Sequence, residues 1–154
     1  MSLFRPQLWR IPTTGEAERR RLPELTATLE NRLKHIARRY PQAVFASSLA
    51  VEDMIVTDAI CRLKLPLRII TLDTGKLNPE TVALITAVNV RYQTELEVFH
   101  PDPESARQFE QEFGTTAMYD SVELRRRCCH IRKVEPLNRA LKNAPAWLTG
   151  QRRS

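Results

Sequence analysis

Cys128 and Cys129 are neighbours in ELRRRCCHIRKVEPL, the stretch from Glu123 to Leu137. They sit among Arg125, Arg126, Arg127, His130, Arg132 and Lys133. Adjacent cysteines rarely reach disulfide geometry without straining the peptide between them. Two thiols in so much positive charge suit a metal or iron–sulfur centre, or an anion site that happens to contain thiols. Cationic neighbours favour the thiolate, the form that ligates metals and reacts. Two ligands do not complete a four-thiolate centre. The third cysteine, Cys61, falls within a predicted helix and reads as a small buried hydrophobe. His35, His100 and His130 show no metal-ligand spacing, and His35 reads as a helix-surface residue.

Two other stretches could hold an anion. SSLAVED (Ser47–Asp53) joins an expected strand to an expected helix. Ser47 and Ser48 can cap that helix, and its free N–H groups can face an anion, although a plain N-cap explains the serines as well. It is neither a Walker A loop nor a GxGxxG turn. LDTGKLNPET (Leu72–Thr81) ends a strand in Asp73-Thr74-Gly75, where glycine permits close backbone approach to a ligand. One copy of Asp-Thr-Gly between alternating strands and helices argues against an aspartic protease.

The elements that position these groups follow from periodicity. Leu22, Leu25, Leu29, Leu33, Ile36 and Tyr40 recur at helical spacing, so a helix is predicted from about Leu22 to Tyr40, with Pro23 in its first turn and Pro41 ending it. Residues 1–21 read as an N-terminal arm. Short apolar strands are predicted at Ala43–Ser48, Leu67–Asp73, Leu96–Phe99 and Ala146–Gly150. Helices are predicted at LAVEDMIVTDAICRL, from Pro79 to about Asn89, and at Ser105–Phe113. Two helical pieces follow near Ser121–Arg126 and Arg132–Lys142.

Strands alternating with helices predict one α/β domain over residues 1–154: a parallel sheet covered by helices on both faces. Right-handed crossovers place strands one to three in one direction and return the fourth beside the first. Ligands in such sheets bind outside the carboxyl ends of the strands where the order reverses. Ser47 and Ser48, Asp73–Gly75, and Gln151–Arg153 all fall there.

Composition narrows the function. With 24 basic and 18 acidic residues the net charge is +6, concentrated in Arg125–Lys133 and the GQRRS end. A basic patch suits phosphate, sulfate, nucleotide or nucleic acid, although a solvated helix face explains such a run too. Aromatic residues are 6% of the chain and none lies in the basic run, which argues against single-stranded nucleic acid. No apolar run approaches a membrane span. Three cysteines fit a disulfide scaffold poorly, and the basic N-terminus lacks the apolar core of a secretory signal, so a cytoplasmic location is expected.

Taken in order, SSLAVED, LDTGKLNPET, ELRRRCCHIRKVEPL and AWLTGQRR resemble the assimilatory adenylyl-sulfate and phosphoadenylyl-sulfate reductases, from about Phe45 to Arg153. The resemblance implies an adenine-nucleotide hydrolase-like, PP-loop, Rossmann-like fold. It implies reduction of adenylyl sulfate, less so its 3′-phosphorylated form, to sulfite and AMP, with thioredoxin or a similar thiol donor. It carries substrate binding onto Ser47, Ser48 and Asp53, onto Leu72, Asp73, Thr74 and Gly75, and onto Lys133, Arg152 and Arg153. Lys133 would lie between cluster and substrate.

In that family an adjacent cysteine pair marks members with a four-iron, four-sulfur (4Fe-4S) cluster, so the resemblance makes Cys128 and Cys129 two of its four ligands. The other two belong to a later Cys-x-x-Cys, and the nucleophile to a C-terminal Glu-Cys-Gly-Leu-His-like tail. Neither occurs in the 154 residues. Many relatives also carry a glycine after the second serine of the PP-loop, where this chain has Leu49. The chain is therefore expected to correspond to the N-terminal two thirds of a reductase and to be inactive alone. The alternative is a non-catalytic fragment that binds adenine nucleotide. Apolar surface exposed at its end could drive homo-oligomer formation.

Overall fold

β-branched and apolar runs form the strands, and longer mixed runs form the helices between them. The computed structural model describes residues 13–151. The first twelve residues of the expected arm, and the expected anion-binding Arg152 and Arg153, lie outside the described residues. The strands are β1 (Val44–Ala46), β2 (Arg68–Leu72), β3 (Glu97–Phe99) and β4 (Trp147–Leu148). The helices are α1 (Glu16–Arg39), α2 (Val51–Arg62), α3 (Pro79–Tyr92), α4 (Pro103–Phe113), α5 (Val122–Cys129) and α6 (Glu135–Leu141). A 3₁₀ turn at Ala117–Tyr119 precedes α5, and a π turn at His130–Val134 joins α5 to α6.

The sheet order is β3-β2-β1-β4, and every pair is parallel. This is the expected doubly covered α/β sheet, with the order reversing between β1 and β4. Period-two alternation along β1 sends Phe45 to one face and Val44 to the other. Phe45 and Ile69 pack with Leu33 and Ala37 of α1, Ala59 and Ile60 of α2, and Val88 of α3. Val44 and Ile70 pack with Ala140, Leu137 and Leu141 of α6. A satellite cluster of Phe109, Ala117 and Cys128 lies under α4 and α5, so Cys128 is held by packing. Among the described residues no helix is long and apolar enough to cross a membrane.

Two boundaries differ from expectation. α1 begins at Glu16, so residues 16–21 belong to the helix and not to the arm. Glu16 and Glu18 in its first turn suit the positive helix end, and Glu16 pairs with Arg20 one turn on. Pro23 consequently lies inside the helix, in a fully exposed stretch where water can take the carbonyl its ring releases. α3 runs past Asn89 to Tyr92 and ends at Gln93 in the left-handed conformation. Asn89 serves the next element instead, its side-chain oxygen accepting from Leu96 N–H at 2.9 Å.

Candidate functional site

At the carboxyl end of β1 the chain turns into α2. Ser47 is buried, and its N–H donates to the Ile70 carbonyl at 2.9 Å, extending the parallel ladder. Its hydroxyl accepts from Leu49 N–H at 3.1 Å. Ser48 N–H and Oγ both donate to Asp53 Oδ2, at 2.6 and 2.5 Å. The cap of α2 is Ala50, with no side-chain capping bond, so the expected capping by Ser47 and Ser48 does not occur. The serines instead shape the turn before the helix, Ser48 Oγ also accepting from Ala50 N–H at 3.3 Å.

Leu49 holds this turn in the left-handed conformation, with φ of +63°. That costs a non-glycine residue about 1–2 kcal/mol. The Leu49 side chain is 6% exposed and sits in the main core, which offsets the strain by about 1.5–3 kcal/mol. A leucine thus serves where the backbone would suit glycine.

Asp53 is buried behind the loop, against the backbone at Gly150. A Cβ added at Gly150 would fall 1.9 Å from Asp53 Oδ1. Asp53 is absent from the cavity wall that Ser47 and Ser48 line. Its place is that of a brace between the β1 loop and the end of β4. Neither Asp53 nor Gly150 shows this in sequence, because nothing local links them.

The second loop follows β2. Gly75 has φ of +69°, and its N–H donates to Asp73 Oδ1 at 2.9 Å. Asp73 Oδ2 lies 3.8 Å from His100 Nδ1. Thr74 is buried, its hydroxyl accepting from Lys76 N–H at 3.2 Å. Asn78 caps α3 by accepting from Thr81 N–H at 3.1 Å. Asp73 and Gly75 therefore shape this loop, while Leu72 and Thr74 face the cavity.

The third piece is the π turn. It holds more residues per turn than the flanking α-helix and so changes which side chains face inward; such turns recur at functional sites. Arg132 and Lys133 are neighbours with opposite surroundings. The Arg132 side chain is 8% exposed. Its NH1 donates to the Thr74 carbonyl and its NH2 to Glu110 Oε1, both at 2.7 Å. Lys133 is exposed and lines two adjoining cavities. Arg132 and Glu110 form an ion pair beside the cavities that sequence reasoning missed. A basic run signals charge without saying which member turns inward.

The first cavity, about 280 Å³, is lined by Ser47, Ser48, Leu72, Thr74, Thr81 and Lys133. The second, about 370 Å³, is lined by Cys128, Cys129, Arg125, Arg132, Lys133 and Tyr119. Thr74, Leu77 and Lys133 belong to both walls. The first offers apolar walls, hydroxyls and one cation; the second offers two thiols among cations. Arg125, expected on a solvated face, is exposed but lines the thiol cavity and donates to the Met118 carbonyl at 3.2 Å. Its neighbour Arg126 is exposed and lines neither.

The thiols differ in setting. Cys128 is buried, while Cys129 and Cys61 are half-buried. Cys61 lies apart, packed against the main core, where burial and then the nearby Asp58 carboxylate push its pKa up. A pair of thiols with cationic walls fits two corners of an anionic iron–sulfur centre. Among the described residues no group of three or more His, Cys, Asp or Glu could hold a metal ion. The residues present therefore fit part of such a centre and not a whole one.

The family model for the phosphoadenosine phosphosulfate reductase domain matches residues 42–154. An adenosine 5′-phosphosulfate reductase of Neisseria meningitidis serogroup B is 48% identical over 153 residues, covering 99% of this chain and 62% of that protein. Another, from Burkholderia cepacia, is 50% identical over 134 residues, covering 85% of this chain and 54% of that protein. This chain thus spans less than two thirds of either relative's length. The crystal structure of phosphoadenylyl-sulfate reductase from Candida auris, a phosphate complex, superposes with a TM-score of 0.68 at 24% identity, over 92% of this chain and 70% of that one. At that identity the likeness speaks for the fold.

Proposed function

The chain belongs to the phosphoadenosine phosphosulfate reductase family, and from that premise we propose that it binds adenylyl sulfate and serves its reduction to sulfite and AMP in sulfate assimilation. The single observation that carries this reading is the meeting of two cavities at Lys133, one lined by hydroxyls and apolar side chains and one lined by thiols. The apolar walls at Leu72 and Leu77 suit an adenine ring. Ser47 and Ser48 stand at the uncapped start of α2, where backbone N–H groups and hydroxyls suit a phosphate. Lys133 then faces the sulfate end as a mobile point charge. Arg152 and Arg153 are proposed to add planar, two-bond contacts to the same group.

The chemistry balances with a two-electron thiol donor. A cysteine thiolate attacks the sulfonyl sulfur, the sulfur–oxygen bond to the phosphate breaks, and AMP leaves with the electron pair. A donor thiol, from thioredoxin or a similar carrier, then attacks the enzyme sulfur and expels sulfite. Its second thiol releases the enzyme, so the donor ends as a disulfide. Lys133 lowers the charge repulsion that the incoming thiolate meets. Asp53 holds the Ser48 turn, and Arg132 holds the Thr74 carbonyl. If a 4Fe-4S cluster is bound, Cys128 and Cys129 supply two of its ligands and the cluster adds fixed charge beside the substrate. No step above requires electrons from it.

The attacking thiolate is not assigned to this chain's cysteines. Cys128 is buried in a packed cluster, Cys129 adjoins it, and Cys61 lies apart. The 154-residue polypeptide alone is expected to bind nucleotide without releasing sulfite. Calorimetric titration with adenylyl sulfate tests the site. Lys133→Ala should weaken binding about tenfold or more, the loss of one charge-assisted contact. Arg126→Ala should change it less than about threefold, the scale of an exposed charge. Equal losses would mean diffuse attraction and no built site. Sulfite release from adenylyl sulfate with reduced thioredoxin, above background, would refute the expected inactivity.

A further inference from the structure

We propose that Glu110 is a positioning residue that couples the nucleotide cavity to the thiol cavity, an inference that rests on the proposed nucleotide reading. Glu110 belongs to α4 and lines neither cavity. Its Oε1 receives Lys76 Nζ at 2.8 Å from the loop after β2. The same oxygen receives Arg132 NH2 at 2.7 Å from the π turn. Arg132 NH1 continues to the Thr74 carbonyl, and Lys76 Nζ also donates to the Thr115 carbonyl at 3.3 Å. One carboxylate therefore ties together α4, the Thr74–Lys76 loop and the π turn.

The consequence is geometric. Thr74 and Leu77 bracket the tied loop and line both cavities, so a shift of the loop moves both walls. A Cβ at Gly75 would meet Arg132 NH1 at 3.1 Å, so guanidinium and loop are already in close contact. Arg132 is buried and needs a counter-charge. Without Glu110 it has the Thr74 carbonyl as its remaining partner and would pull away towards water. The Lys76 hydrogen bond, with help from the charges of Lys76 and Arg132, holds the Glu110 carboxyl below its ordinary range, so it is ionised at neutral pH.

The test uses the full chain, AMP as the probe, and three readouts. These are amide exchange at Gly75 and Lys76, AMP affinity, and iodoacetamide alkylation of Cys129 with and without AMP. In the unaltered chain AMP should change the alkylation rate about fivefold or more, the lower end of ordinary site coupling. Glu110→Gln should speed exchange at the two amides, weaken AMP about tenfold and abolish the effect of AMP on alkylation. Arg107→Ala, on the exposed face of the same helix, should alter none of the three. If Glu110→Gln does not fold, Lys76→Ala removes one arm of the clamp and is read the same way. Unchanged amide exchange in a folded variant overturns the clamp. Faster exchange with the AMP effect on Cys129 intact overturns the coupling and leaves Glu110 a structural ion-pair partner. If the unaltered chain binds no AMP, the nucleotide reading and the coupling both fail, while amide exchange still decides the clamp.

Discussion

Gly150→Ala is a one-methyl change with a large expected cost. The new Cβ would lie 1.9 Å from Asp53 Oδ1, 3.0 Å from its carboxyl carbon and 3.4 Å from its Cα. The first contact is impossible and the last is backbone, so something must move. If the Asp53 carboxylate moves, it loses the bonds from Ser48 N–H and Oγ. Two bonds to an ionised group contribute about 1.5–3 kcal/mol each, so full loss would cost roughly 3–6 kcal/mol. β4 is a two-residue strand at the sheet edge and can yield in part. The expected destabilisation is therefore about 2–3 kcal/mol, within the range for a broken buried network. Urea denaturation of Gly150→Ala, Asp53→Ala and the double variant supplies the cycle. On the Asp53→Ala background the glycine substitution should cost less than about 0.5 kcal/mol, giving a coupling near 2 kcal/mol. Additive single effects would show that the two residues do not meet as described.

Three further outcomes follow from the same geometry. Leu49→Gly and Leu49→Ala should both destabilise, but glycine should be the milder by about 1 kcal/mol, because it relieves the positive φ while alanine does not; the reverse order in thermal melts would remove the strain argument. Glu97 is held below the ordinary value of 4.5 by its two-bond pairing with Arg68 across β2 and β3. A lowered carboxylate pKa stabilises the fold above its unfolded value and loses that contribution as pH falls through the folded value. Glu97→Gln should thus cost about 0.5–1 kcal/mol at neutral pH, discounted for its exposure, and nearly nothing well below pH 4.5; a pH-independent cost would contradict the pairing. Anaerobic reconstitution should give fewer than four irons per chain, because only two thiols share a cavity; a full count in monomer would require ligands other than those described.

The sheet was legible because its strands are short apolar runs bounded by Pro, Gly and Asp, and chain-crossing rules then leave few orders. The start of α1 was not, because EAERRR carries no apolar period and its helix rests on end charges and one ion pair. The meeting of the loops after β1 and β2 at one cavity was legible from the predicted topology. The roles within them were not: Asp53 braces a turn, and Asp73 and Gly75 shape one, while Thr74 and Leu72 face the cavity. The cysteine stretch read as two helical pieces because a π turn has no residue signature. Only the fold separates buried Arg132 from exposed Lys133. Glu110 and Gly150 act across long sequence distances on partners that no local pattern names.

Nucleotide and thiols are proposed to meet at Lys133. A crystal structure of the chain with adenylyl sulfate tests it most directly. Adenine is expected between Leu72 and Leu77, phosphate at Ser47 and Ser48, and the sulfate end beside Lys133, facing Cys128 and Cys129. Nucleotide bound instead in the cavity lined by His100, Glu135 and Arg139, with the Ser47 and Lys133 cavity empty, would contradict it.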